Sequence, residues 1–211
     1  MRKTLYRPSL LYPAAVLLAL SLPFAAIQPV ITTSWLPITD DKLVLALLVA
    51  AWLLQGRRAV PRPDEWRALL PTLVFILVAL LSARFAAADY ASDALHYVAR
   101  LVAAVFVFLV FVRLQPERTP ALLWAVVVGA GISALVGVGE ALHVAAFAPV
   151  LAWFKIAPTR VGGELRVSGS FEYATIAAMY FEMVVPIAIV LAAAAKRRAA
   201  QVLGVAVAGV I

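Results

Sequence analysis

Pro120-Ala121-Leu122-Leu123-Trp124-Ala125-Val126-Val127-Val128-Gly129-Ala130-Gly131-Ile132-Ser133-Ala134-Leu135-Val136-Gly137-Val138-Gly139 runs for twenty residues without a charge. As a helix rising 1.5 Å per residue, such a run reaches about 30 Å, the thickness of a bilayer's hydrocarbon core. Lipid offers backbone amides and carbonyls no partner, so a chain inside it must be helical or form a closed barrel. The run lacks the strict polar and apolar alternation of a barrel strand, so it reads as a helix. A second uncharged stretch, Leu10 to Ile38, reads in the same way. The whole chain agrees with these two runs. Its 211 residues are 65% hydrophobic and 14% charged, with a mean hydropathy of +1.00. A water-soluble core cannot hide that much apolar surface. The expected fold is all-α, a polytopic transmembrane helical bundle forming a single domain over 1–211.

The apolar runs place helices near 9–30, 42–56, 67–87, 94–112, 120–143 and 172–195. A further run begins at Gln201 and reaches Ile211, too short to cross a bilayer, which predicts about six complete helices and a truncated seventh. The chain is therefore expected to be the N-terminal part of a longer protein. Arg2, Lys3 and Arg7 before the first run, with Phe24-Ala25-Ala26 inside it, also fit a cleaved signal peptide. The uncharged run continues to Ile38, longer than such a segment requires, so a retained first helix is expected.

The net charge of +7 and pI near 10.1 would suggest a nucleic-acid partner in a soluble protein. Here the basic residues sit in short loops between apolar runs and read as topology signals, so no nucleic-acid partner is expected. With a cytoplasmic N-terminus, the inside loops hold Arg2, Lys3, Arg7, Arg57, Arg58, Arg62, Arg67, Arg113, Arg118, Lys196, Arg197 and Arg198, which are twelve of the 18 basic residues. The positive-inside rule thus predicts an N-in, multi-pass protein. The chain has no cysteine, so neither a disulfide nor a thiolate metal site is available. His96 and His143 are isolated, without ligand spacing, and no metal or cofactor is expected.

Gly129, Ser133 and Gly137 recur at steps of four, a small-residue stripe that admits a close neighbour. The longest connection is an external loop over 144–171. Its first part, Ala145 to Ile156, carries Phe147, Leu151, Trp153, Phe154 and Lys155, and is expected to lie along the membrane interface. Its second part carries Arg160, Gly162-Gly163, Arg166 and Ser168-Gly169-Ser170. Ser170 reads as the N-cap of the following helix, whose positive dipole end faces the loop. A helix start beside arginines suits an anion such as phosphate. The alternative is that Arg160 and Arg166 solvate the loop or pair with Glu164. Asp40 and Asp41 read as a solvated turn before the second helix. Asp89 and Asp93 are placed in the outer loop before the fourth, where Asp93 can act as a cap.

Two charges fall deep inside predicted spans, Arg100 in the fourth and Glu182 in the sixth, while Glu140 lies near the end of the fifth. Intramembrane charges need a partner or a watery cavity, so the two are expected to face the bundle interior and meet, with Glu140 as the rival partner for Arg100. The alternative is that Arg100 reaches up to the interface while Glu182 is protonated against backbone groups. Pro186, four residues after Glu182, removes that carbonyl's amide donor and predicts a bend.

The run Arg166-Val167-Ser168-Gly169-Ser170-Phe171-Glu172-Tyr173-Ala174, continuing through Ala178-Met179-Tyr180 to Pro186, resembles the Arg-x-Ser-Gly-Thr-Phe stretch and proline-bearing helix of the O-antigen ligase and polymerase family. The second helix, Lys42 to Leu54, is similar to opening helices of that family. The resemblance implies a metal-independent glycosyltransferase of the bacterial inner membrane, whose further arginine- and histidine-bearing catalytic loop lies beyond this chain. It would move a glycan from an undecaprenyl-diphosphate carrier to an acceptor hydroxyl on the outer face. Membrane lipid and the lipid-linked glycan are then the implied partners. Arg166 would stand near the donor diphosphate, with Arg160, Ser168, Gly169 and Ser170 beside it. The chain departs from the family's common pattern at Glu172-Tyr173-Ala174, so ligase and polymerase are not distinguished, and no catalytic base is indicated. The competing class is a non-catalytic transporter or permease subunit, which internal symmetry would favour.

Overall fold

The computed structural model describes residues 10–24, 31–32, 37–54, 63–114, 116–156 and 160–211. Among these the chain is mostly helical, as its composition requires. The elements in order are α1 (Leu11–Ser21), β1 (Ile31–Thr32), β2 (Pro37–Ile38), α2 (Asp40–Leu54), α3 (Pro63–Arg84), α4 (Ala88–Val112), α5 (Thr119–Ala141), α6 (Ala148–Phe154), β3 (Arg160–Val161), β4 (Glu164–Leu165), α7 (Ala174–Ala194) and α8 (Arg198–Val210). Each strand pair is a minimal antiparallel hairpin, β1 with β2 and β3 with β4. Among the described residues three helices are long and apolar enough to cross a membrane: Asp89–Val112, Thr119–Ala141 and Ala174–Ala194.

Several boundaries correct the expectations. The first helix stops at Ser21 and closes in a 3-10 turn over Leu22–Phe24, where Pro23 lacks the N–H that continuation needs. Its predicted end over 25–30, and the basic residues Arg2, Lys3, Arg7, Arg57, Arg58 and Arg62, lie outside the described residues. The fourth helix begins at Ala88, which takes Asp89 and Asp93 out of the loop and into α4. The N-cap there is Ala87, with no side-chain bond, so Asp93 does not cap. Asp40 and Asp41 open α2, where negative charge suits the positive end of the helix dipole. The Thr39 hydroxyl donates to the Asp41 carboxylate in that same turn. The last helix starts at Arg198, three residues before Gln201.

The chain divides into two compact units, Met1–Gln55 with Pro116–Ile211, and Gly56–Gln115. The second unit is the α3–α4 hairpin, whose two helices pack on each other. Its outer surface shows Leu70, Val74, Phe75, Leu77, Val78 and Val102, all exposed.

The first unit is built around α5, which α1, α7 and α8 all contact. The small-residue stripe explains how. A Cβ added at Gly129 would stand 2.5 Å from the Leu20 carbonyl oxygen, so α1 and α5 approach backbone to backbone. On the other side Val127 and Ala130 of α5 join Val184, Ala188 and Leu191 of α7 and Val207 of α8 in one buried cluster. Gly204 of α8 lies against the Ala188 carbonyl and Ala192, where a Cβ would meet atoms at 3.0 and 2.7 Å. The upper half of the stripe receives something other than a helix. At Gly137 the neighbours are Val167 and Gly169, so the second part of the loop folds down onto α5.

His143 has a backbone role at the end of α5. Its amide donates to the Glu140 carbonyl at 3.1 Å, the Val144 amide donates to the Gly139 carbonyl at 3.0 Å, and its φ is +52°. This is a Schellman ending, in which the residue after the cap turns left-handed, a conformation that suits glycine. His143→Gly is expected to raise stability by about 1 kcal/mol, because glycine enters that conformation without the Cβ clash. The check is unfolding of the two proteins in the same detergent. A clear loss on substitution would mean that the imidazole itself supports the fold.

Candidate functional site

The second part of the loop is organised around a buried carboxylate. Glu140, in the last turn of α5, and Lys155, just past α6, are 6% and 5% exposed. Their Nζ and Oε1 atoms stand 2.6 Å apart. The Lys155 ammonium also donates to the Ser168 hydroxyl at 2.7 Å. The other carboxylate oxygen, Oε2, accepts from the backbone N–H groups of Ser168 and Gly169, both at 3.1 Å. A buried charge is tolerated when it is paired and its remaining lone pairs are taken, and Glu140 meets both conditions. Lys155 and Ser168 have the spacing of a serine–lysine dyad. However, the same nitrogen is shared with the Glu140 carboxylate, to which it donates at 2.6 Å.

Next to it the Ser170 hydroxyl donates to the Pro23 carbonyl at 2.5 Å. Ser133 and Ser170 have their hydroxyl oxygens 2.6 Å apart. Since the Ser170 proton is committed to Pro23, Ser133 is the donor in that pair. This chain of bonds joins the end of α1, the middle of α5 and the turn. Gly169, at φ +56°, makes the turn possible, and a Cβ there would stand 2.6 Å from the Ser133 carbonyl. Ser168 and Ser170 are each 1% exposed, with their polar atoms engaged inside the protein. Ser170 is not the N-cap that the sequence predicts. The helix begins four residues later with Tyr173 at the cap position and no side-chain cap bond.

The arginines behave differently. Arg160 opens the β3–β4 hairpin, and its guanidinium donates to the Gly163 carbonyl at 3.2 Å. Arg166 follows that hairpin, two residues before the buried Ser168, and is exposed. Among the described residues no side chain pairs with it, and Glu164 makes no ion pair with either arginine. Pro158 and Thr159 lie outside the described residues.

Below the turn a cavity of about 630 Å³ opens between α5, α7 and α8, with Gly137, Val138, Phe181, Glu182, Pro186 and Ser168 in its wall. Glu182 thus borders an apolar groove. Pro186 lies inside one continuous helix. Arg100 belongs to α4 of the second unit and Glu182 to α7 of the first, so the pairing expected of them is between units and stays a proposal. Glu140, the rival partner expected for Arg100, has its carboxylate engaged by Lys155 and two amides within the first unit. At the mouth of α7, Tyr173 is exposed and its phenol is raised above the usual tyrosine range, first by its hydrogen bond with Glu172 and then by that residue's negative charge. Phe171 seats the chain onto α7 through Tyr180 and Phe181, with ring centroids 5.2 and 5.9 Å away.

The first part of the loop rests on its own contacts. Phe154 packs on Phe24 with ring centroids 6.2 Å apart, and Phe147 fills the space a side chain at Gly139 would need. Trp153 and Ile156 remain exposed.

The Glu140–Lys155 pair is the feature that sequence reasoning missed. Each is a lone charge in an apolar stretch, and such a charge calls for a partner. That signal was readable, but the choice of partner was not, because a 15-residue separation has no local periodicity.

No family model, curated protein or solved structure matches this chain.

Proposed function

We propose that this chain is a multi-pass protein of the bacterial inner membrane, N-terminus inside, and part of a transferase that moves a glycan from an undecaprenyl-diphosphate carrier to an acceptor hydroxyl at the outer face. The helices long enough to span, together with the exposed apolar side chains of α3 and α4, support the membrane reading, since soluble monomers rarely show apolar patches of more than a few hundred Å². α1, α2, α3 and α8 would complete the bundle as shorter or tilted members.

The observation that carries the reading is Arg166, an exposed guanidinium without a partner among the described residues, mounted beside a turn that is itself completely buried. A guanidinium held on a rigid base offers paired donors to phosphate oxygens and can stabilise charge building on a diphosphate leaving group. Arg160, on the adjoining hairpin, adds positive charge to the same segment. The hydroxyls of Ser168 and Ser170 and the amide of Gly169 support this segment from below, while Arg166 makes the contact with the donor.

The test is glycan transfer by the intact protein in its own membranes. Arg166→Ala is expected to abolish transfer with abundance and insertion unchanged, because the exposed side chain supports no packing. Arg166→Lys is expected to retain little, since an ammonium cannot reproduce the paired donors. Undiminished transfer by the alanine variant would remove Arg166 from the site.

A further inference from the structure

The Ser168–Gly169 turn aims two successive backbone N–H groups at one point, beside the Lys155 ammonium. Such an arrangement, built on a left-handed residue, is a cradle for an anion. Its occupant is the chain's own Glu140 carboxylate, held by two amides at 3.1 Å and by the ammonium at 2.6 Å. A phosphate therefore has no access to these amides, and an incoming diphosphate is left to the guanidinium two residues earlier.

We propose that Glu140 and Lys155 are positioning residues for Arg166: the carboxylate is a built-in anion that closes the turn, and the closed turn fixes where the guanidinium stands. The inference rests on the reading that Arg166 faces the donor diphosphate. Without Glu140 the two amides lose their acceptor and the buried ammonium keeps only the Ser168 hydroxyl, a costly arrangement that the segment escapes by lifting off α5. Val167 is 38% exposed with one methyl turned onto Gly137, so lifting frees that covered side and displaces Arg166 with it.

The chain has no cysteine, so Val167→Cys supplies a single thiol next to Arg166. Its rate of labelling with a membrane-impermeant maleimide reports opening of the segment, whatever the protein's activity. In the Glu140→Ala background labelling is expected to be several-fold faster. That substitution removes a CH2–COO⁻ group the size of acetate. Sodium acetate should therefore slow labelling again, while sodium chloride at equal ionic strength should not, and adding Lys155→Met should abolish the acetate effect. Glu140→Gln keeps the volume and one acceptor oxygen but loses the charge, and should also label faster.

In the transfer assay Glu140→Ala is expected to raise KM for the lipid-linked donor by several-fold more than it lowers kcat, and acetate should reverse this. Native labelling rates in both Glu140 variants would overturn the proposal, as would acetate acting no better than chloride. Faster labelling with unchanged transfer would also overturn positioning. That outcome would leave the role of Arg166 to the alanine test above.

Discussion

Gly169→Ala is expected to lower the stability of the first unit by about 2–5 kcal/mol, adding about 1–2 for a side chain in left-handed backbone to about 1–3 for forcing an atom into a packed interior. Gly169 has φ +56°, and a Cβ there would meet the Ser133 carbonyl oxygen at 2.6 Å and the Ser133 hydroxyl at 3.3 Å. The first atom is backbone in the middle of α5, and it cannot swing aside. Relief must come from the turn rising, which breaks the Glu140 bonds to Ser168 and Gly169 together with the Ser133–Ser170–Pro23 chain. Gly162 and Gly163 provide an internal comparison. Their φ values are +63° and +90°, but a Cβ at either meets nothing within 4 Å. Alanine at those positions carries the conformational cost alone. Unfolding of the three variants in one detergent separates the two contributions. Gly169→Ala no worse than Gly162→Ala would mean that the turn does not press on α5.

Lys155→Met is expected to cost about 3–5 kcal/mol, the usual penalty for removing one member of a buried ion pair. Methionine matches the length of the lysine stem and fills its space, so the loss reports charge and hydrogen bonds more than volume. The substitution takes away the ammonium bonded to both Glu140 and Ser168, leaving a carboxylate 6% exposed with only the two amides. The double variant Glu140→Gln with Lys155→Met removes both charges, and should fall by clearly less than the sum of the two single variants, because contacting residues couple. Strict additivity would show that the two side chains act independently, contrary to their 2.6 Å contact.

Much of the helical content was legible before any coordinates. The runs around α5 and α7 are long and apolar, and their observed limits, Thr119–Ala141 and Ala174–Ala194, lie within two residues of the expected ones. The first and fourth helices were less legible. Pro23 ends α1 although the apolar run continues, and α4 starts in the polar Asp89–Asp93 segment because helix propensity and a free N-terminal turn outweigh the missing apolar stripe. The stripe Gly129, Ser133 and Gly137 correctly predicted close approach, but half of it accommodates a loop, and small residues alone do not say what will come near them.

Sequence by itself determined that this chain carries little charge and long apolar runs, three of which form helices long and apolar enough to cross a membrane among the described residues, and that two arginines flank a glycine-rich turn. These are properties of local composition and length, governed by the transfer of side chains and by backbone hydrogen bonding within one element. Tertiary structure alone decided that Glu140 pairs with Lys155, that Ser168, Gly169 and Ser170 are turned inward, and that Arg166 is left outward. Each of those outcomes depends on a loop returning to a helix that the chain left many residues earlier. A buried charge requires a partner, but no local rule says which of several distant groups the folded backbone will bring within 3 Å of it.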